Sequence, residues 1–439
     1  MAGKTSTRVL ERTDGGCVVK RTVLPGGLRV ITERMPSVRS ASVGFWLGVG
    51  SRHETVRQAG ASHYLEHLLF KGTPTRSARE ISASFDRIGG DVNAFTTKDH
   101  TCFHARVLGE DVPFAVDVLA DMVVSSLVRS ADVDAERGVI LEEIAMDFDD
   151  PSDAVHDEFA RALFGDGPLG RPVLGDPESI EGMRRTTIAS YWRKSYRPER
   201  MVIAAAGRID HDTFVRAVEK ALGAWLVAGG QVPVRPPVVR TSARRPAQAT
   251  RGLSRRIEQT NLLLGVRGLA RTDERRFALA VLNAALGGGM SSLLFQEIRE
   301  KRGLAYSVYS YASGYADDGA FGIYVGCQPK RVSDVVGLCR EQLAQVASDG
   351  LSTADLDLGK GQVRGAILLA QEDAESRMSW WGKRELLAAE TLGVAEELRR
   401  IKAVTAADVQ ALAADLLTRP LALATVGAPA KLDLEALVA

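Results

Sequence analysis

The sequence contains few cysteines, and their spacing excludes two classes of site. The four residues Cys17, Cys102, Cys327 and Cys339 form no C-x-x-C pair. Such spacing fits neither a disulfide framework nor a zinc site made of thiolates. A reducing compartment is therefore the simplest expectation.

The sequence also has almost no net charge and no long apolar run, and we expect no secretory leader. The net charge is +1, so no global field attracts nucleic acid or an anionic membrane. No apolar run approaches the roughly 18 residues of a membrane span. The opening stretch MAGKTSTRVLERTDGG has no apolar core of a signal peptide. We expect a cytoplasmic protein without nucleic-acid or membrane partners, and the excess of arginine over lysine indicates a bacterial source.

The chain is long enough for two domains. At roughly 100–200 residues per domain, 439 residues favour two units. Residues 226–254 are rich in proline, glycine, alanine and arginine and show little periodicity, which is typical of a linker. Its arginines have no interleaved aromatic residues, which argues against a nucleic-acid surface. We predict domains at 1–225 and 255–439 on either side of this linker.

The two predicted domains are similar to each other. TCFHARVLGEDVPFAVDVLADMV in the first half resembles GAFGIYVGCQPKRVSDVVGLCREQL in the second, and a second helical pattern follows each. Such self-similarity decides the architecture. Strands in hairpins and helices in pairs predict an α+β fold: two similar α/β domains, each a mainly antiparallel sheet with helices on one side.

The stretch ASHYLEHLLFKGT contains His63, Glu66 and His67 within a helical pattern. Residues four apart share a helix face, so both imidazoles can bind one metal ion. A catalytic zinc site needs a third ligand and an open position for water, which leaves Glu66 free as general base. The alternative is an amphipathic helix with incidental polar residues. An H-x-x-E-H pattern arises by chance in about one such chain in a hundred.

A third ligand is available in ERGVILEEIAMD. Glu136 and Glu143 are two helical turns apart and share a face. We predict Glu143 as the third ligand and Glu136 as a support that orients a ligand. By themselves, two glutamates on a helix would more often form a solvated face.

The chain resembles the pitrilysin/insulysin family of inverzincin zinc peptidases, and within it the processing-peptidase type. The resemblance covers nearly the whole chain and includes GVGSRHE, HYLEHLLFKGT, GGDVNAFTTKDHTCF, ERGVILEEI and LGGGMSSLLFQEIREKRGLAYSVYS. In that family the third zinc ligand follows the second histidine by about 76 residues, which is the position of Glu143.

The resemblance implies two further sets of contacts with a peptide substrate. Asn93, Ala94 and Phe95 match the edge strand on which substrate is laid. Arg299 and Tyr306 match an Arg-x6-Tyr pair that reaches the scissile bond and would stabilise an oxyanion. The alternatives are a charge at a helix end for Arg299 and a core position for Tyr306.

The second half has lost the metal-binding residues. Glu136 aligns with Gly359 and Glu143 with Ala366, and the histidine motif aligns with the apolar LAVLN. We therefore expect one zinc ion per chain, with the second domain contributing walls and substrate contacts.

These observations predict a zinc endopeptidase in which Glu66 removes a proton from the zinc-bound water. Longer relatives carry four domains, so the resemblance implies a homodimer that forms a clamshell chamber around a peptide substrate. A non-catalytic assembly subunit and a maturase dedicated to one precursor remain as alternatives.

Overall fold

The computed structural model describes residues 5–13, 15–228, 250–387, 391–428 and 431–438. The chain forms two compact units. Unit 1 comprises Met1–Ile144, Pro172–Val238 and Leu369–Gly393, and unit 2 comprises Ala145–Arg171, Val239–Leu368 and Val394–Ala439.

Unit 1 contains a seven-stranded sheet with the order β1-β2-β3-β7-β4-β6-β5. Its strands are β1 (Ser6–Arg12), β2 (Val18–Val23), β3 (Arg29–Arg34), β4 (Ser40–Leu47), β5 (Asp91–Thr96), β6 (Thr101–Leu108) and β7 (Met201–Gly207). Neighbouring strands are antiparallel except β3 and β7, which are parallel. A hairpin turn at Pro25-Gly26-Gly27 joins β2 to β3, and both glycines have positive φ there.

Unit 2 contains a five-stranded sheet with the order β10-β11-β9-β12-β8. Its strands are β8 (Thr250–Leu253), β9 (Thr260–Arg267), β10 (Ala305–Gly314), β11 (Gly319–Cys327) and β12 (Ala422–Val426). This order repeats β5-β6-β4-β7-β3 of unit 1, and the parallel pair recurs as β8 with β12. The predicted pair of similar, mainly antiparallel α/β units is confirmed.

The helices of the first half include those predicted around the histidine motif, in GEDVPFAVDVLADMV and in ERGVILEEIAMD. They are α1 (Ala61–Leu69), α2 (Ala78–Arg87), α3 (Val112–Ser125), α4 (Ser130–Asp149), α5 (Pro151–Phe164), α6 (Pro177–Gly182), α7 (Arg185–Ser195) and α8 (His211–Ala228). Those of the second half are α9 (Arg276–Gly287), α10 (Val332–Asp349), α11 (Thr353–Leu369), α12 (Ala374–Leu387), α13 (Val394–Ala403), α14 (Ala406–Leu417) and α15 (Leu434–Val438). In the described part of the chain, no helix is both long enough and apolar enough to cross a membrane.

Helices cover both faces of the unit 1 sheet, whereas the sequence predicted helices on one side. Seven helices (α1–α4 and α6–α8) share a core with one face. The other face is covered by α12, which buries Met378 and Trp381 against Trp46 and Val202. Because α12 lies far from these strands in sequence, periodicity alone could not assign it to this sheet.

The compact units do not follow the predicted domain boundaries. Unit 1 takes 369–393 from the second half, and unit 2 takes 145–171, including α5, from the first. In unit 2, α5 packs Val155 and Phe159 against a sheet face, as α12 does in unit 1. Each half therefore contributes a helix to the unit that the other half mainly builds. Most of the predicted linker, 229–249, lies outside the described residues.

Two buried ion pairs fasten α12 to unit 1. Glu33 on β3 is fully buried and accepts hydrogen bonds of 2.6 Å from both Arg377 Nε and Trp381 Nε1. Glu385 on α12 forms an ion pair with Arg21, with 2.8 Å between Oε1 and Nε. Removing one member of a buried, hydrogen-bonded pair leaves the other charge uncompensated. The sheet and α12 are therefore expected to depend on each other for stability.

We expect Glu33→Ala to destabilise unit 1 by about 3–5 kcal/mol, because Arg377 and Trp381 Nε1 lose a buried acceptor. Urea unfolding followed by tryptophan fluorescence measures the change. Asp334→Ala is the control, since the Asp334–Arg331 pair is exposed and such pairs contribute about 0–1 kcal/mol. Equal effects of the two substitutions would contradict the anchoring role of Glu33.

Candidate metal centre

The first turn of the helix that carries the histidine motif is capped by a side chain from outside the helix. Gly60 precedes α1 with φ 86° and provides no side-chain cap. The buried carboxylate of Glu54 instead accepts the backbone N–H groups of Gly60 at 2.8 Å and Ser62 at 2.6 Å. A negative group at a helix N-terminus satisfies free N–H donors and is favoured by the helix dipole. This contact fixes the direction in which α1 leaves the preceding loop.

The buried side of α1 decides which residues remain for chemistry. Tyr64, Leu65, Leu68 and Leu69 are fully buried in the unit 1 core. The residues between them, including the histidines, form the half-buried opposite face. The same helix therefore presents a core face and a polar face, as the sequence predicted.

Helix α4 brings the predicted third ligand to this polar face. Val133 and Ile140 of α4 are buried in the same core as α1, and Tyr64 Oη donates a hydrogen bond to Val133 O. Glu136 is buried beside them, while Glu143 is partly exposed one turn beyond Ile140. The packing of the apolar residues thus sets the position of both glutamates.

His63, His67 and Glu143 converge on one point. Glu143 Oε2 lies 3.6 Å from His63 Nε2 and 3.5 Å from His67 Nε2. Two ligand atoms about 2.1 Å from a tetrahedral zinc ion are about 3.4 Å apart. The observed distances are too long for good hydrogen bonds but match a shared metal ion. Among the described residues, this is the one group of three His, Cys, Asp or Glu side chains arranged in this way.

The protonation and hydrogen bonding of the three residues fit a cation. Burial and the neighbouring His67 lower the pKa of His63 to about 4, so its imidazole is neutral at pH 7, the form that binds metals. Glu143 Oε2 is buried and has no hydrogen-bond partner in the described structure. A buried carboxylate oxygen without a donor is costly, and a metal ion would satisfy it.

Glu66 lies next to these ligands without belonging to the group of three. Its Oε2 accepts a 2.5 Å hydrogen bond from Thr96 Oγ1 on β5. Burial raises the pKa of Glu66, and Glu143 adds to this, while the Thr96 hydrogen bond and His67 lower it. A raised pKa makes the carboxylate a stronger proton acceptor, and Thr96, which the sequence analysis had not singled out, holds it in place.

Glu136 contacts a ligand rather than the metal position. Its Oε2 lies 3.1 Å from His67 Nδ1. Its Oε1 forms a 2.6 Å ion pair with Lys71 Nζ, a contact that the sequence analysis missed. Lys71 lies four residues after His67 and two beyond the end of α1, and this closeness to the motif was the available signal.

Comparison with known proteins identifies the family. Residues 29–177 match the family model for insulinase (peptidase family M16), and residues 183–363 match the model for the peptidase M16 inactive domain. The chain is 52% identical over 412 residues to a Streptomyces coelicolor protein named "uncharacterized zinc protease", covering 93% of this chain and 89% of that protein. The chain belongs to the M16 peptidase family. The predicted family is confirmed, and the processing-peptidase subfamily remains a prediction.

Further relatives and solved structures agree with this assignment. Proteins with the same name from Mycobacterium tuberculosis and Bacillus subtilis are 50% and 42% identical, each over 93% of this chain and covering 93% and 98% of those proteins. The crystal structure of a Helicobacter pylori protease has a TM-score of 0.85 at 19% identity, covering 97% of this chain and 99% of that chain. A Pseudomonas fluorescens structure titled as a peptidase M16 inactive domain has a TM-score of 0.83 at 19% identity, covering 98% and 99%. At these identities the structural likeness concerns the fold.

The predicted substrate strand is an edge strand. β5 has β6 as its single neighbour in the described sheet. Phe95 points to the face covered by α12, with its ring 5.7 Å from that of Trp46, whereas Thr96 faces Glu66. The backbone N–H of Ala94 donates to Asn93 Oδ1 at 2.8 Å. A peptide on this strand would therefore meet backbone groups and Asn93 rather than the ring of Phe95.

Arg299 and Tyr306 contact each other in unit 2. Arg299 lies in a short π-helix, Phe295–Glu300, and Tyr306 lies on β10. The guanidinium stacks over the Tyr306 ring at 4.6 Å, and its Nη1 donates to Tyr306 O at 2.9 Å. Tyr306 is 74% exposed, which excludes the alternative of a core tyrosine. The action of the pair on a substrate stays a prediction.

In unit 2, the position that corresponds to the metal centre is filled by close packing of two helices. Gly359 of α11 aligns with Glu136, and a Cβ there would lie 2.8 Å from Val281 O and 3.3 Å from Ala285 Cβ of α9. These helices approach so closely that a glutamate cannot be accommodated between them. The predicted loss of metal-binding residues in the second half thus has a steric counterpart.

We expect Glu143→Gln to weaken zinc binding by more than about 100-fold, since loss of a charged ligand should exceed the roughly 10- to 100-fold effect of outer contacts. Competition with a chromophoric chelator measures the affinity. Glu142→Gln is the matched control, because Glu142 is exposed on the same helix. Similar affinities for the two variants would contradict the assigned ligand.

Proposed function

We propose that the chain is a zinc-dependent endopeptidase that cleaves oligopeptides or unfolded segments bound in an extended conformation. The observation that carries the proposal is the convergence of His63, His67 and Glu143 within 4.8 Å, with Glu66 beside them. The M16 relatives are named zinc proteases, which supports zinc as the metal. One such group in the described residues supports one ion per chain.

Each residue around the centre has a distinct role in the proposed reaction. Nε2 of His63, Nε2 of His67 and Oε2 of Glu143 would hold the zinc ion. A bound zinc ion supplies Lewis-acid activation of water and of the scissile carbonyl. Glu66 takes the proton of the attacking water on its carboxylate and then delivers it to the leaving amine. Thr96 holds that carboxylate in place.

The free edge of β5 supports binding of substrate as an added strand. Unpaired N–H and C=O groups of an edge strand pair with any extended peptide and so demand little sequence specificity. Asn93 now accepts the Ala94 N–H and would give it up to the incoming chain. Thr96 lies on the same strand and contacts Glu66, so the docking strand and the proton acceptor are directly linked.

We expect Glu66→Gln to lower kcat/KM by about 10²- to 10⁴-fold, because the neutral amide cannot accept the proton. Cleavage of a fluorescence-quenched peptide measures the activity, and zinc content is determined in the same samples. Glu142→Gln should retain full activity. If wild-type protein binds zinc but cleaves no peptide in a broad library, the non-catalytic assembly subunit becomes the better assignment. If it cleaves a single sequence, the dedicated maturase does.

We also propose that the protein acts as a homodimer in which Arg299 and Tyr306 serve the partner's zinc centre. The family resemblance motivates this step, and the mutual contact and exposure of the two side chains support it. We further propose a location in the bacterial cytoplasm; the bacterial relatives support the bacterial source.

Mixing two inactive variants tests action between chains. Glu66→Gln protein and Arg299→Ala/Tyr306→Ala protein should regain about a quarter of wild-type activity after subunit exchange, because half of the dimers then hold one complete site. Each variant mixed with itself is the control. Absence of recovery, with exchange verified by mass-labelled subunits, would rule out action in trans.

A further inference from the structure

We infer that Lys71 is a positioning residue of the metal centre, which holds the carboxylate of Glu136 and through it the imidazole of His67. This inference rests on the proposed zinc centre. It goes beyond that proposal by assigning a role to a residue that lies outside the H-x-x-E-H motif and touches none of the three ligands.

The two oxygens of Glu136 have different partners. Oε2 lies 3.1 Å from His67 Nδ1, and Oε1 lies 2.6 Å from Lys71 Nζ. The Glu136 side chain is 7% exposed, whereas that of Lys71 is 35% exposed. A carboxylate held at one oxygen can turn, but one held at both oxygens cannot. Lys71 therefore supplies the second fixed point of a buried group.

This fixed carboxylate determines how His67 presents its ring. An ionised carboxylate is only an acceptor, so the hydrogen of the His67–Glu136 bond lies on Nδ1. The lone pair of His67 is then on Nε2, which faces Glu143 at 3.5 Å. Orientation of a ligating histidine through its second nitrogen is a common determinant of metal affinity.

His63 has no such support in the described structure. Its Nδ1 is buried without a hydrogen-bond partner among the described residues. The two imidazoles are therefore supported unequally. A chain of polar contacts orients the ring of His67 but not that of His63. Loss of the outermost contact, that of Lys71, should therefore change the orientation of the His67 ring.

The positive charge of Lys71 affects metal affinity in the direction opposite to its positioning role. A cation near Glu136 draws negative charge away from His67 and repels a metal ion, so removal of the charge alone would tighten binding. Solvent reaches about a third of the Lys71 side chain and screens this repulsion. The loss of a donor to a buried oxygen is not screened. The positioning effect should therefore dominate. The sign of the change in zinc affinity on replacement of Lys71 distinguishes the two effects.

The experiment measures zinc affinity of Lys71→Met, Lys71→Arg and Lys20→Met by chelator competition, starting from metal-free protein. We expect Lys71→Met to weaken binding by about 3- to 10-fold, less than the roughly 10- to 100-fold of a direct contact. Lys71→Arg should restore affinity to within about 2-fold, since it keeps a donor. Lys20→Met, at an ion pair elsewhere in unit 1, should change nothing. Unchanged or tighter binding by Lys71→Met would overturn the inference.

A double-mutant cycle shows whether Lys71 acts through Glu136. In a Glu136→Gln background, Lys71→Met should have little further effect, because the link is already broken. The full weakening of zinc binding by Lys71→Met in that background would instead assign the effect to general destabilisation, because removal of the Lys71 charge alone would tighten binding. Thermal unfolding of the metal-free variants measures that destabilisation.

Nitrogen-15 NMR of the histidines in metal-free protein separates this inference from the proposed function. In the wild type, His67, assigned with a His67→Gln variant, should be the tautomer protonated on Nδ1. In Lys71→Met it should become a mixture, and Lys71→Arg should recover the single form. A single Nδ1–H tautomer in Lys71→Met would refute the positioning role. If the protein bound no zinc at all, the proposed function would fail while this comparison would still decide the role of Lys71.

Discussion

The approach of α4 to α1 is the contact on which the candidate centre depends. Val133 and Ile140 share the unit 1 core with the buried side of α1, and the Tyr64 hydroxyl bonds to the α4 backbone. That apolar contact brings Glu143 to within 3.6 Å of both imidazoles. Because the core fixes the two helices, the polar residues gain their geometry from interactions that involve no metal.

A second layer of contacts holds the polar residues themselves. Glu54 caps α1, Thr96 holds Glu66, and Lys71 with Glu136 holds His67. Each of these partners comes from outside the helix span of the motif. Such support is what a site needs to keep its ligands within a few tenths of an ångström of a working geometry.

The exchange of helices between the two halves changes how the architecture is understood. The sheet that supports the centre is covered on its second face by α12, held through Glu33 and Glu385. Unit 1 is therefore not a segment of the first half but a product of both halves. The two units share a strand order, yet the close approach at Gly359 leaves unit 2 no room for a corresponding glutamate.

The local sequence was enough to identify the helix with His63, Glu66 and His67, because the 3.6-residue period places them on one face. It also indicated Glu143, since Glu136 and Glu143 share a face, and it revealed the repeat. It did not assign α12 to unit 1, because α12 meets its sheet only in the folded chain. It missed Thr96 and left Lys71 unnoticed, since their partners Glu66 and Glu136 lie 30 and about 65 residues away in sequence. Periodicity determines on which face of its helix or strand a residue lies. Tertiary packing alone decides which other helix or strand packs against that face.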